Sequence, residues 1–250
     1  MAGLSVRALG GLPEVHPGAD LAALIAACAD GQLRDVDLVA IAHKVVSKSE
    51  GAVVALANVR PSERARELAE AQRKDARVVE VVLQESAEVL RAERDVLVCR
   101  TRHGFVCANA GVDASNAPAD GTLVLLPRDP DASARRIRAR LRELTGSAPA
   151  VLIGDSFGRA WRHGQLDVAI GLAGLQPLDD WRGRTDARGL QLWATWLAVA
   201  DAAAASAELA RAKDSGEPVV LIEGLERYIT ATDGPGAASL LRPLEEDLFR

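Results

Sequence analysis

Asp113, Ser115 and Asn116 fall within four residues at the end of HGFVCANAGVDASN, the apolar and small-residue stretch from His103 to Asn116. A plain Asx turn, in which Asp113 or Asn116 hydrogen-bonds its own backbone, is one reading of such a stretch; a cation or phosphate site is the other. The same order recurs in APAVLIGDS, where an apolar run delivers Asp155 and Ser156 at its end. Asp113 and Asp155 are hard oxygen ligands of the type Mg²⁺ or Mn²⁺ takes, with waters and substrate phosphates filling the rest of the shell. Lys48 could meet phosphate as a point charge. Arg159 and Arg162, in DSFGRAWRHG, could clamp an anion through their forked guanidinium groups. Each has a plainer alternative: turn-forming aspartates, a solvated lysine at the end of a strand, and loop ion pairs.

Other chemistries lack a signature. There is no GxxxxGK[ST] and no strand-linked GxGxxG, which disfavours a P-loop or a Rossmann turn. His43, His103 and His163 are scattered, without HExxH or GxSxG, and His43 reads as a packed, hydrogen-bonded imidazole. Cys28, Cys99 and Cys107 lack CxxC spacing and read as reduced, mostly buried thiols. With a net charge of −5, the chain shows no nucleic-acid footprint, and the Arg-rich ARRIRARLRELTG reads as an exposed helix face. Neither a signal peptide nor a membrane-length apolar run is present, so a cytoplasmic protein with no membrane partner is expected.

The elements that must position these groups are mixed strands and helices without strict βαβ alternation, an α+β pattern. At 250 residues and 48% apolar content the chain can bury a sizeable core, and neither a repeat nor a domain boundary interrupts it. Leu21–Gly31 has helical periodicity with a glycine stop, and Asp37–Val46 reads as one buried strand. Ser62 is a good N-cap for a helix over SERARELAEAQRKD, and VVEVVLQESAEVLRAE (residues 78–93) reads as a second helical stretch. RDVLVCRT and GFVCANAGVD predict an antiparallel hairpin ending at Asp113. GTLVLLP, APAVLIGDS, QLDVAIGLAG, GLQLWATW and PVVLIEG are further strand candidates. A helix is expected over DPDASARRIRARLRELTG, with Ile137, Leu141 and Leu144 on one stripe and Gly146 as its stop, and another over the Ala-rich 197–213. Trp161, Trp181, Trp193, Trp196 and Phe249 are expected as core or interface anchors.

Six blocks taken in order, GLPEVHPGADL, AHKVVSKSEG, VVEVVLQES, RHGFVCANAGVDASN, IGDSFGRAWRHGQLDVAIG and LLRPLEEDLFR, resemble the coenzyme F420-0:L-glutamate ligases across essentially the whole chain. The resemblance implies an α+β ligase without a P-loop that uses GTP and Mg²⁺ or Mn²⁺ to add L-glutamate to coenzyme F420-0, often extends the tail through γ-linkages, and works as a homodimer. It implies one domain over residues 1–250, possibly in two lobes, and no C-terminal flavin-reductase domain. Carried over by position, Leu12, Pro13, Glu14 and Val15 match a nucleotide-binding segment, and Lys48 and Asn116 match nucleotide contacts. Asp113 and Asp155 match metal ligands, with Ser156 standing where many relatives have Thr. His43 stands where relatives often have Ser or Gln, and Ala212 where a Gly is expected before Lys213. Arg159 and Arg162 are candidates for orienting an anionic substrate. Two other readings are an amino-acid ligase for a different carboxylate acceptor and a catalytically silent nucleotide-binding subunit.

Overall fold

The computed structural model describes residues 3–247. Its central sheet runs β1 (Ser5–Ala8), β12 (Val219–Glu223), β2 (Leu38–Ala42), β8 (Ala150–Arg159) and β9 (Arg162–Ala173), with β2 and β8 parallel and the other neighbours antiparallel. Both faces of the sheet are covered, so its strands read as near-continuous apolar runs rather than alternating ones. Val39, Ile41, Val151, Ile153, Val219 and Leu221 pack on one side with α1 (Leu21–Ala29) and α5 (Pro130–Thr145). Leu38, Ala40, Ala150, Leu152, Val220 and Ile222 pack on the other with α6 (Val199–Ala210). The small side chains of α6 let it lie close: Ala200, Ala203, Ala204 and Ala207 are all buried.

A third cluster holds the smaller elements together. It joins α3 (Glu63–Ala71) and α4 (Ala76–Glu85) to a sheet of β4 (Ser86–Glu93), β5 (Val96–Thr101) and β6 (Val106–Ala108) through Leu68, Val79, Val82, Leu97 and Cys99. The pair β3 (Val53–Ala55) and β7 (Thr122–Val124) contributes Leu123 to it. A short antiparallel pair, β10 (Leu178–Asp180) and β11 (Trp196–Ala198), precedes α6, and α2 (His43–Ser49) follows β2 directly. The architecture is α+β, as the sequence predicts.

Several expectations needed correction. The strand expected over Asp37–Val46 ends at Ala42, where pairing to Gly154 of β8 stops, and the chain turns into α2. The helix expected to continue through residue 93 ends at Glu85; Ser86–Glu93 pairs instead with β5. Arg94 and Asp95, both at positive φ, make the two-residue turn whose twist suits a hairpin, and that pairing overrides a helix-compatible pattern. β6 stops at Ala108, short of Asp113, which is held by an isolated bridge to Val124. Of GLQLWATW, Trp196 alone enters a strand; Gln191, Leu192 and Thr195 pair back only through an isolated bridge to Thr185 and single backbone bonds with Gly183, Arg184 and Trp181. The Ala-rich helix starts at Val199, since Leu197 and Ala198 pair in β11. Ile137 and Leu141 are buried in α5, but Leu144 sits in its last turn and is exposed.

Cys99 and Cys107 are buried and Cys28 is part-buried, all as free thiols, and burial pushes Cys107 up to about 12. Trp161 and Trp193 are largely exposed, which removes them from the core, and Phe249 lies outside the described residues. Among the described residues, no helix is long and apolar enough to cross a membrane.

The start of α5 lies directly on β9. A Cβ placed at Gly171 would stand 2.5 Å from the Pro130 carbonyl oxygen, and Asp131 Oδ1 accepts the Leu172 N–H at 2.8 Å. Gly171→Ala is expected to destabilise the protein by about 1 to 2 kcal/mol, because backbone rather than a flexible side chain must give way. A denaturant midpoint equal to that of the wild type would contradict this close approach.

Candidate active site

The carboxyl end of β2, the middle of β8 where its pairing with β2 stops, the amino end of β12 and the turn after β6 open onto one cleft of about 670 Å³, a volume suited to a small-molecule ligand. β8 does not end at Ser156, as APAVLIGDS suggests, but runs on to Arg159. Leu12, Pro13, Glu14, Val15, His43, Lys48, Asp113, Asn116, Asp155 and Ser156 all line it. The chain between β1 and α1 brings in Leu12 to Val15 as an extended segment, anchored by the buried Leu9 and Val15. In α2, Lys44 and Lys48 are four residues apart and so share a helix face, which is turned to the cleft.

The two readings of the Asp113 turn prove compatible. Ser115 donates its backbone N–H to Asp113 Oδ1 at 2.8 Å, the Asx turn, and its hydroxyl to Oδ2 at 2.7 Å. Lys44 Nζ donates to the same Oδ2 and to Ser115 Oγ. Burial alone would raise the Asp113 carboxyl, but the Lys44 ammonium and the Ser115 donors outweigh it and hold the group below the usual carboxylate range. Asp113 is therefore an anion at neutral pH.

Asp155, just past Gly154, accepts the Ser156 N–H at 2.8 Å on Oδ1, and His43 Nε2 lies 3.2 Å from the same oxygen. The His43 ring is buried, with Nδ1 unpartnered, so its one polar contact fixes the Asp155 carboxylate. Lys48, also buried, donates to Glu14 Oε1 at 2.6 Å. The far wall is residues 211–218: Lys213 Nζ donates to Ser156 Oγ at 2.5 Å and lies 3.0 Å from Glu208 Oε1, while Arg211 donates to the buried Asp167. The cations of the cleft thus meet carboxylates of the same chain.

Asp113, Asp155 and Ser156 offer hard oxygen donors beside open space, a donor set that fits Mg²⁺ or Mn²⁺. Among the described residues no three His, Cys, Asp or Glu side chains converge into a metal-ligating group, so an ion held here would take the rest of its shell from water and phosphate.

Arg159 and Arg162 are not brought to the cleft. They face each other at the end of the β8–β9 hairpin, where Arg159 Nη2 donates to the His163 carbonyl at 2.7 Å. Conversely, Lys44, Gln165, Arg211 and Lys213 line the cleft without having been singled out as site residues. The four-residue spacing of Lys44 and Lys48 was a readable signal for the first of these, once α2 is seen as a helix. Nothing local marks Arg211, whose role depends on a residue 44 positions away in sequence.

Fold and cleft together define an α+β protein whose cleft is lined by both lysines and carboxylates and is built without a P-loop. The chain belongs to the F420-0:gamma-glutamyl ligase family, whose model matches residues 11–224. It is 45% identical to the coenzyme F420:L-glutamate ligase of Methanothermobacter thermautotrophicus over 99% of both chains. It is also 45% identical to that of Methanopyrus kandleri, over 97% of this chain and all of the relative, and 40% identical to that of Methanocaldococcus jannaschii over 87% and 86%.

Proposed function

We propose that this chain is a cytoplasmic, single-domain ligase that joins L-glutamate to coenzyme F420-0 at the expense of GTP, with γ-linked extension of the tail as a further step. One observation carries the reading: the residues matched to nucleotide and metal positions come from separate parts of the sequence and line one cleft. Family membership and the printed activity of the relatives support the choice of substrates.

A carboxylate does not condense with an amine at neutral pH, so it is first activated. A carboxylate oxygen of the acceptor attacks the γ-phosphorus of GTP, the bond to the bridging oxygen breaks, and GDP leaves an acyl phosphate. The glutamate nitrogen then attacks the acyl carbon, the carbon–oxygen bond to phosphate breaks, and the amine proton passes to solvent. Such transfers need positioning and charge neutralisation more than covalent help from the protein.

Asp113, Asp155 and Ser156 would hold Mg²⁺ or Mn²⁺, which when bound supplies charge neutralisation at phosphate oxygens. Lys48 meets the phosphates as a point charge, and Lys44, released from Asp113, adds a second. Leu12 to Val15 flank the nucleotide together with His43, and Asn116 hydrogen-bonds it. Arg159 and Arg162 orient the anionic substrate where it reaches beyond the cleft.

Purified protein supplied with GTP, Mn²⁺, glutamate and F420-0 is expected to give a product heavier by a glutamyl residue in mass spectrometry. Turnover only with another carboxylate acceptor would replace F420-0 in the scheme. Nucleotide binding without turnover on any acceptor would mark a silent subunit.

The working unit is a homodimer, a reading supported by the exposed Trp193, Trp196 and Leu197, which suit an interface. Light scattering is expected to give twice the chain mass, and specific activity is expected to fall with mass on dilution if the site needs both copies. A fully active monomer would remove the dimer from the scheme.

A further inference from the structure

We infer that Asp167 is a positioning residue that fixes the Ser156 hydroxyl for cation binding, an inference that rests on the proposed metal site. Asp167 stands opposite Ser156 in the β8–β9 register and is buried to 1% exposure, away from the cleft lining. A carboxylate so deeply buried must have its oxygens satisfied. Its Oδ1 accepts the Ser156 hydroxyl at 2.5 Å, its Oδ2 accepts Arg211, and its own N–H is received by Glu208 Oε2 at 2.9 Å.

The consequence lies in the hydroxyl. A serine Oγ has one proton and two lone pairs, and a metal ligand must present a lone pair. Both Asp167 oxygens accept, Oδ2 from Arg211 and Oδ1 from Ser156, so the Ser156 proton goes to Asp167 and both lone pairs are turned away from it. One receives Lys213 Nζ at 2.5 Å; the other is left for a cation in the cleft that Asp155 and Ser156 both line. Arg211 holds the Asp167 carboxyl in place, and also donates to the Pro218 carbonyl at 3.2 Å, tying together the two ends of the loop that forms the far wall. Asp167→Asn breaks this logic: its NH₂ must face either Arg211, which cannot accept, or Ser156, whose lone pair it then consumes.

The test is Mn²⁺ binding in the presence of GDP, read from the electron paramagnetic resonance of free Mn²⁺ and so independent of turnover. Removing an outer-shell partner of a metal ligand weakens affinity about 10- to 100-fold, and Asp167→Asn is expected to do so by about tenfold. In a Ser156→Ala background, where no hydroxyl remains to be oriented, Asp167→Asn is expected to cause no further loss. An equal loss in both backgrounds would make Asp167 a general support of the fold and overturn the inference. Circular dichroism checks the fold of each variant; if Asp167→Asn does not fold, Asp167→Thr, β-branched as a strand favours, enters the same cycle. Wild-type protein that binds Mn²⁺ through Asp113 while Asp167→Asn binds it equally well would overturn the inference alone. Wild-type protein that binds no Mn²⁺ would overturn the metal reading and the inference with it.

Discussion

Asp113→Asn is expected to slow turnover about a hundredfold, equivalent to about 3 kcal/mol of transition-state stabilisation, while the fold survives. The substitution keeps the volume and an oxygen for the Ser115 N–H, but it removes the charge that meets Lys44. The Asp113 side chain is 43% exposed, so loss of that ion pair is expected to change stability by less than about 1 kcal/mol. The catalytic loss therefore separates from the structural one. Rates across a Mn²⁺ titration, set beside a thermal melt, make the comparison; wild-type rates at every Mn²⁺ concentration would remove Asp113 from the metal site.

Lys48→Met is expected to lower kcat/KM for GTP about 30-fold, the effect of losing a charge-assisted hydrogen bond of about 2 kcal/mol. Methionine preserves the apolar bulk of the stem, which matters because Lys48 is buried along its length. Its partner Glu14 has a side chain 60% exposed, so the orphaned carboxylate hydrates readily and little stability is lost. Calorimetric titration with a non-hydrolysable GTP analogue, together with steady-state rates, is the measurement. Unchanged affinity and unchanged rates would leave Lys48 with no role beyond its contact with Glu14.

What could be read in advance divides along physical lines. The strands β2, β8 and β12 were visible because a doubly covered sheet requires uninterrupted apolar runs, α1 through its periodicity and the stop at Gly31, α3 through its cap Ser62, and α5 through the apolar stripe of Ile137 and Leu141 and the stop at Gly146. β4 was not legible: SAEVLRAE fits a helix as well as a strand, and its pairing with β5 decides. Asp113, Asp155 and Lys48 were marked by residue type, yet their shared cleft is a property of the sheet topology that no local pattern encodes. Arg159 and Arg162 stand outside the cleft although Asp155 lines it, because nearness in sequence is not nearness in space. β8 runs on through Arg159, and at about 3.3 Å per residue four further positions carry the chain about 13 Å beyond Asp155.

The direct passage from β2 into α2 bears on how this chain can change over time. His43 begins a helix where Ala42 ends a strand, with no intervening loop to absorb an extra residue. One insertion there would rotate Lys44 and Lys48 together by about 100° around the helix axis and carry both ammonium groups off the cleft. The segment from Leu38 to Ser49 can therefore drift in composition but not in length. The exposed turn of Arg94 and Asp95 between β4 and β5 lines no part of the cleft, and it is there that insertions, fused tags or natural length polymorphism would be tolerated.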